Sequence, residues 1–470
     1  MGEHYGWISV LPPLAAIFLA IRTKQVYLSL FFGIWFGWLI LAQWNPIAGL
    51  AQALDACVNV FADAGNARVV IFSALVGAVL AYAQRSGGVE GFIKMSERLG
   101  FSSSRRRAAF LSWFIGLFLF VESSITILVR GAIARPVFDR LKISREKLAY
   151  ILDSTSAPVC VMIPLNAWGA YVIGLLSTQG IERPVHLFAL AVPYNFYAIF
   201  AALLVVVLIL LDRDFGPMRA AEYRARVEGK VLRDGAEPLV ATEVVELSTK
   251  EGVSPQARNM LIPVAVMVAM MPAGLLITGG GNLMRGSGST AVFWAVLASL
   301  AVSGIYYRAR RIFTLNELVD LFFKGVGGLM PMAVLMILAF AIGNTCRELG
   351  TGLYVAEVAK NFLSPKFVPA IIFLASAFIA FATGTSFGTF GIMIPIAVPM
   401  ALALEANLPA SVAAVLGGGV FGDHCSPISD TTIISSMASA SDHIDHVRTQ
   451  LPYALFAASV ALIFYLLAGF

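Results

Sequence analysis

Long apolar runs separated by short polar breaks dominate the chain. They lie at about residues 7–21, 25–43, 67–83, 107–134, 145–176 and 187–211, and recur at about 260–278, 290–307, 325–345, 367–404, 409–439 and 451–470. A helix needs about 20 residues to cross the hydrocarbon of a bilayer, so the pattern predicts an all-α integral membrane protein. The first run is short and holds Pro12 and Pro13, which predicts a span that is tilted or extended by its neighbours. Residues 212–258 are rich in both charge signs and read as a solvated linker between two halves, with a short helix around 218–229.

Several runs carry polar residues that a simple span would not tolerate. FGDHCSPISDTTIISSMAS (421–439) packs Asp423, His424, Ser426, Asp430, Thr431 and Thr432 around Pro427. Hydrocarbon cannot hydrogen-bond to charge or open backbone, so such a segment must be buried in protein or line a wet cavity. A helix broken at proline, with carboxylates and hydroxyls at the break, is a common way for transporters to build an ion site.

The two halves repeat. LVGAVLAYAQRSGGVEGFIKMSERL (75–99) parallels VLMILAFAIGNTCRELGTGLYVAEV (334–358). FVESSITILVRGAIARP (120–136) parallels FATGTSFGTFGIMIPIAVP (381–399), and DSTSAPVCVMIP (153–164) parallels DHCSPISDTTII (423–434). Matched interrupted segments in two halves point to a transport site. The run 107–134 has basic clusters on both flanks. A full crossing would put one cluster outside, so it reads as a re-entrant hairpin with its tip near Glu122, Ser123 and Ser124. By the same logic 367–404 is a hairpin with its tip at Thr383–Ser386.

The expected fold is therefore an inverted-repeat secondary transporter of about ten crossings plus two re-entrant hairpins. Residues 1–211 form the first repeat (hairpin 107–134, broken helix 145–176). Residues 259–470 form the second, inverted one (hairpin 367–404, broken helix 409–439). With 212–258 in the cytoplasm and both termini outside, only Arg68, Arg183, Arg285, Arg347, Lys360 and Lys366 of the 33 lysines and arginines fall outside. That bias fits a multi-pass protein of the inner (plasma) membrane.

Composition agrees. The chain is 59% hydrophobic and 13% charged, with a mean hydropathy of +0.81, against roughly 25% charged in soluble domains. The four cysteines, Cys57, Cys160, Cys346 and Cys425, are scattered without a CxxC pair, so neither a disulfide framework nor a zinc site is expected. No GxxxxGK(S/T) loop occurs, which argues against direct ATP coupling. No nucleophile–base arrangement suggests an enzyme. No cofactor, transition metal or nucleic-acid partner is expected beyond the bilayer, monovalent cations and protons.

Two stretches supply the candidate chemistry. ATGTSFGTFG (382–391) combines backbone-freeing glycines with the hydroxyls of Thr383, Thr385, Ser386 and Thr389. The break supplies Asp423, Ser426, Asp430, Thr431 and Thr432. A buried acid holds a proton without a cation and releases it when a cation arrives, which is exchange. Asp430 is the first choice for that role and Asp423 the second, with a helix-capping role as its bland alternative. The first-half counterparts are Glu122, Ser123, Ser124, Asp153, Ser154, Thr155, Ser156 and Asn166; Glu122 could instead pair with Arg130 as a lock. His424 is a candidate proton relay near neutral pH or a packing histidine. The DHIDH run (442–446) reads as a solvated cap or pH-sensing patch rather than a metal site, and Gly417–Gly418–Gly419 as a close helix contact.

GDHCSPISDTTIISSMASASDHIDHVRTQLPYAL (422–455) and TGTSFGTFGIMIPIAVP (383–399) resemble the NhaC family of sodium/proton antiporters. More distantly, the hairpin-plus-break plan resembles the ion transporter superfamily that includes the divalent anion:sodium symporters. The resemblance implies sodium at the tips and breaks, and a tip-bearing domain that moves against a scaffold, in many members as a homodimer. The first-half VESS lacks the glycines of TGTSFGT, a departure from a symmetrical second cation site. The leading reading is exchange of sodium, or another monovalent cation, for protons by alternating access. The alternative is sodium- or proton-coupled transport of a small organic solute such as an amino acid or carboxylate, with Asn166 as a polar contact. A channel-like pore is a third reading, disfavoured by the paired breaks.

Overall fold

The computed structural model describes residues 5–23, 25–98, 104–118, 123–164, 166–238, 249–282, 286–360, 363–427 and 429–470. Among them no strand occurs; the one β-type contact is an isolated bridge between Pro238 and Asp442. In chain order the first half holds α1 (Leu11–Thr23), α2 (Val26–Leu41), α3 (Pro46–Asn59), α4 (Ala64–Arg85), α5 (Gly88–Arg98) and α6 (Arg105–Phe118). It continues with α7 (Ser123–Arg140), α8 (Arg145–Ser154), α9 (Ala157–Cys160), α10 (Ala167–Thr178), α11 (Pro184–Ala191) and α12 (Phe196–Leu211). The connection carries α13 (Gly216–Tyr223). The second half holds α14 (Arg258–Thr278), α15 (Gly288–Ala309), α16 (Leu315–Gly328), α17 (Met330–Glu348) and α18 (Thr351–Lys360). It ends with α19 (Val368–Thr383), α20 (Ser386–Ala403), α21 (Leu408–Cys425), α22 (Asp430–Ser439) and α23 (His443–Ala468).

Seven helical stretches among the described residues are long and apolar enough to cross a bilayer, and shorter apolar helices accompany them. The chain is a multi-pass membrane protein. Its helices sort by which faces are covered. α20 and α21 are buried along nearly their whole length. α14, α15 and α23 keep apolar residues such as Ile277, Ile305 and Phe464 on the outside, as expected where hydrocarbon replaces water as the solvent. α3 lies outside every predicted run. Its exposed Ile47, Leu50, Leu54 and Val58 follow helical spacing, opposite buried Gly49, Ala53 and Ala56.

The interrupted segments position the site. α19 ends at Gly384, whose φ of +69° only glycine adopts without strain, and Thr385 then caps α20. α21 stops at Cys425 and α22 begins at Asp430, so the helix is interrupted around Pro427. α21 lies against α19 at very short range: a Cβ on Gly422 would stand 2.2 Å from the Ala377 carbonyl oxygen, and one on Gly418 2.4 Å from that of Phe373. In the first half α8 ends at Ser154 and α9 is a single turn before α10.

The start of the connection is partly docked, where the sequence predicts a wholly solvated linker. Lys147 Nζ at the start of α8 pairs with Asp214 at 2.6 Å, with both side chains under 7% exposed. Arg224 pairs with Glu146 at 2.8 Å, and Glu222 accepts from both the backbone N–H and the hydroxyl of Ser144 at 2.8 Å. Asp214, Glu222 and Arg224 are thus satisfied by the polar end of α8, while Arg213, Arg219, Glu228, Lys230 and Asp234 stay exposed as the solvated reading expects.

Candidate ion-coupling site

Asp423 sits near the end of α21 and is 1% exposed. Three hydroxyls converge on its carboxylate. Ser386 Oγ, at the first residue of α20, donates to Oδ2 at 2.8 Å. Ser429 Oγ, the N-cap of α22, donates to Oδ1 at 2.5 Å, and Thr431 Oγ1 donates to Oδ2 at 3.4 Å. The hairpin tip and the helix break therefore meet at one acid. Ser429 is the N-cap of α22, and Asp423 accepts from the capping hydroxyl.

A second buried carboxylate lies beside it. Asp153, at the end of α8, is fully buried. Its Oδ2 accepts from Gln450 Nε2 at 2.6 Å and from Thr432 Oγ1 at 3.3 Å. Among the described residues its Oδ1 has no hydrogen-bond partner, and neither has His424 Nε2, 3.9 Å away. His424 Nδ1 meets the Tyr197 hydroxyl at 3.2 Å. The same Gln450 Nε2 reaches the His424 carbonyl at 2.8 Å, so Asp153, His424 and Gln450 form one polar cluster across α8, α21 and α23.

Other predicted residues have local roles. The hydroxyl of Thr383 donates to Ile379 O and that of Thr389 to Thr385 O, each at 2.8 Å, while Thr385 Oγ1 accepts from Gly388 N at 3.4 Å. Ser426 N donates to the Asp423 carbonyl at 3.0 Å. Asn166 caps α10 by accepting from Gly169 N at 3.0 Å and donates to Cys160 O at 2.8 Å, so its amide serves the backbone of the first-half break. Ser154 is buried beside Asp153. Ser156 Oγ donates to the Ser123 carbonyl at 3.1 Å, which ties the first-half tip to its break. Glu122 and the side chains of Ser124 and Asp430 lie outside the described residues; the backbone of Asp430 is the first residue of α22.

Arg130 occupies the first-half junction. Fully buried, it donates to Thr155 Oγ1 at 2.6 Å, Leu152 O at 2.6 Å and Ser112 O at 3.2 Å. Where the second half brings hydroxyls to a carboxylate, the first half brings a guanidinium to carbonyls.

Over residues 159–470 the sequence matches the Na+/H+ antiporter family. The chain belongs to that family. An uncharacterized protein of Haemophilus influenzae is 35% identical, over 98% of this chain and 91% of its own length. The arginine/ornithine antiporter ArcD of Halobacterium salinarum is 28% identical, over 46% of this chain and 42% of its own length. The solved structure of MtrF from Neisseria gonorrhoeae shares the fold, with a TM-score of 0.51 at 15% identity, covering 89% of this chain and 84% of that one. The resemblance to NhaC-type antiporters is thus borne out at the level of the family.

In this antiporter-family chain the sequence reading missed Ser429, Gln450 and Ser436, and took His446 only as part of the 442–446 run. A signal was present for Gln450: His443, His446 and Gln450 recur at i, i+3 and i+7, which places them on one face of a helix. The run read as a solvated cap or pH patch is only partly so. Asp442 caps α23 by accepting from Ile444 N and Asp445 N, but His446 is fully buried. No cluster of three or more metal-ligating side chains occurs among the described residues.

Proposed function

We propose that this chain exchanges sodium, or another monovalent cation, for protons by alternating access, with Asp423 as the carboxylate that cation and proton share. The observation that carries the reading is the convergence of Ser386, Ser429 and Thr431 on one buried acid. A buried carboxylate is costly when ionised and unneutralised. A proton on Asp423 removes the charge and turns one oxygen into a donor toward these hydroxyls. A cation removes it by binding carboxylate and hydroxyl oxygens together. Both cannot occupy the same oxygens, so loading one expels the other. Asp430, at the first residue of α22, sits where the helix dipole favours an anion and is the second acid of the site. Thr432 and Ser426 complete the wall of the break, and Thr383, Thr385 and Thr389 hold the tip in shape.

One cation site is favoured over two, because the buried Arg130 guanidinium at the first-half junction would repel a cation there. The two conformations would be biased by whichever ion is bound. In this reading the protein lies in the inner (plasma) membrane with residues 212–258 cytoplasmic and both termini outside, on the strength of the charge bias. A homodimer and two repeats flanking the connection remain part of the proposal. A second reading, with a small organic solute as cargo, draws support from the arginine/ornithine antiporter among the relatives. Asp423 would then hold an organic ammonium.

The test is thermal stability of the purified chain across sodium and pH, with an amino-acid and carboxylate panel, joined to exchange in proteoliposomes. Ligand at a hundredfold excess over Kd stabilises the folded state by about 2.7 kcal/mol. Sodium should stabilise the wild type, less so as pH falls and protons claim the acid. Asp423→Asn should lose both that stabilisation and exchange while still folding. Exchange retained in Asp423→Asn would overturn the assignment; stabilisation by one organic solute in place of sodium would favour the second reading.

A further inference from the structure

Ser436 on α22 stands between two histidines of α23. Its Oγ lies 3.0 Å from His443 Nδ1, 2.9 Å from His446 Nδ1 and 2.9 Å from the Thr432 carbonyl. The far side of each ring decides its tautomer. His443 Nε2 is 2.7 Å from the Pro427 carbonyl, which can only accept, so that nitrogen carries hydrogen. His446 Nε2 is 3.0 Å from Gln450 Oε1. The Gln450 amide nitrogen already donates to Asp153 Oδ2 and to the His424 carbonyl, so the oxygen faces His446 and His446 Nε2 carries hydrogen as well.

In two neutral rings both Nδ1 atoms are then acceptors. They share, with Thr432 O, the single hydrogen of Ser436, so one ring nitrogen must face an oxygen lone pair at hydrogen-bond distance. One added proton relieves the conflict between the two rings, with Thr432 O giving up the Ser436 hydrogen. A protonated Nδ1 on either ring donates to Ser436 Oγ, and Ser436 donates to the other ring. We propose that His443 and His446 together bind one proton, shared through Ser436. This site is separate from the Asp423 carboxylate, and the inference does not depend on Asp423 being the exchanging acid.

The surroundings suit a cation. Burial penalises charge on His446, but Asp153 Oδ2 is 4.0 Å from its Nε2. The groups around the pair are Asp153 from α8, His424 from α21, Asp442 at the N-cap of α23 and Asp445 within it. Asp445 is paired with Arg233 of the connection at 2.9 Å, and Asp442 accepts from Glu237 N at 3.0 Å. Arg145 of α8 is held by Asp139 at 3.0 Å and by the Ala440 carbonyl at 3.1 Å. Arg130 of α7, which packs on α22, binds α6 and the first-half break. Asp153 is therefore the one carboxylate within ion-pair range of His446 among the described residues. His443 is half-buried, which lets the proton arrive from solvent. Because His443 binds the Pro427 carbonyl and Ser436 belongs to α22, the bound proton ties the helix break to α23.

The measurement is ¹⁵N NMR of the full chain in lipid bilayers with labelled histidine, sodium-free, from pH 9 to 5. His443→Gln and His446→Gln assign the signals. The wild type should show one proton-uptake step in which both Nδ1 signals move at the same midpoint. Asp153→Asn should weaken proton binding at least tenfold, a shift of about one pH unit. Ser436→Ala should split the shared step into independent ones, and Ser436→Thr should restore it. Two independent steps in the wild type, or no uptake at either ring, would overturn the proposal. Should Ser436→Ala fail to fold, His443→Gln decides alone: the remaining His446 then competes for the Ser436 hydrogen with Thr432 O and no second ring, and uptake of a proton there with the wild-type midpoint rejects sharing. The readout is independent of transport, so failure here leaves the Asp423 reading standing, and the reverse.

Discussion

The hydroxyl of Thr432 stands 3.3 Å from the Asp153 carboxylate and 3.4 Å from the Asp423 carbonyl oxygen. One side chain thus bridges the break of the first half and the break of the second.

Thr432→Val keeps the shape and removes the bridge. Asp153 Oδ2 then retains Gln450 as its donor among the described residues, and the loss of a buried hydrogen bond should cost about 0.5–1.5 kcal/mol. The expected outcome is a lower Tm together with weaker sodium stabilisation, while Thr432→Ser restores both. A valine variant that matches the wild type in both respects would show that the two breaks are not coupled through this contact.

Gly422→Ala probes the α19–α21 contact. The new methyl would meet the Ala377 carbonyl at 2.2 Å, a clash with backbone that only separation of the helices relieves. Overpacking of this kind costs roughly 1–3 kcal/mol, and it acts one residue before Asp423. Tm should fall and the sodium concentration for half-maximal exchange should rise. Unchanged sodium dependence would mean that Asp423 is positioned independently of this packing.

Glu317 gives a pH-dependent contact outside the spans. Its hydrogen bond from Lys250, and then that from the Thr314 backbone N–H, hold its carboxyl down at about 2. A depressed acid stabilises the fold above its unfolded value, near 4.5, and that contribution fades as pH falls from there toward 2. Glu317→Gln removes the Lys250 pair and the carboxylate of the Thr314 capping box. It should lower Tm modestly at pH 7, and the difference from wild type should shrink as pH drops through that window. A Tm difference that does not vary with pH would assign the effect to capping alone.

Much of this protein was legible in order along the chain. Hydropathy is a local property, and in a bilayer it must be satisfied by each helix on its own backbone, so the runs, the membrane class and the interruptions at Gly384 and Pro427 follow from residue type. The motif around Asp423 also stood out, because an acid inside an apolar run must be buried in protein or line a wet cavity. Even Ser386 and Thr431 were legible as members of it.

What only the tertiary structure decided is which polar atom meets which. Asn166 and Thr383 look like ligands in sequence, yet one caps α10 and the other bonds its own helix. Gln450 and His446, at the edge of an apolar run, reach Asp153 some 300 positions earlier in the chain. Hydrogen bonds fall away within a fraction of an ångström and demand direction, so they depend on how distant helices cross. That crossing is set by close contacts such as Gly422 against Ala377, which no local pattern of residues encodes.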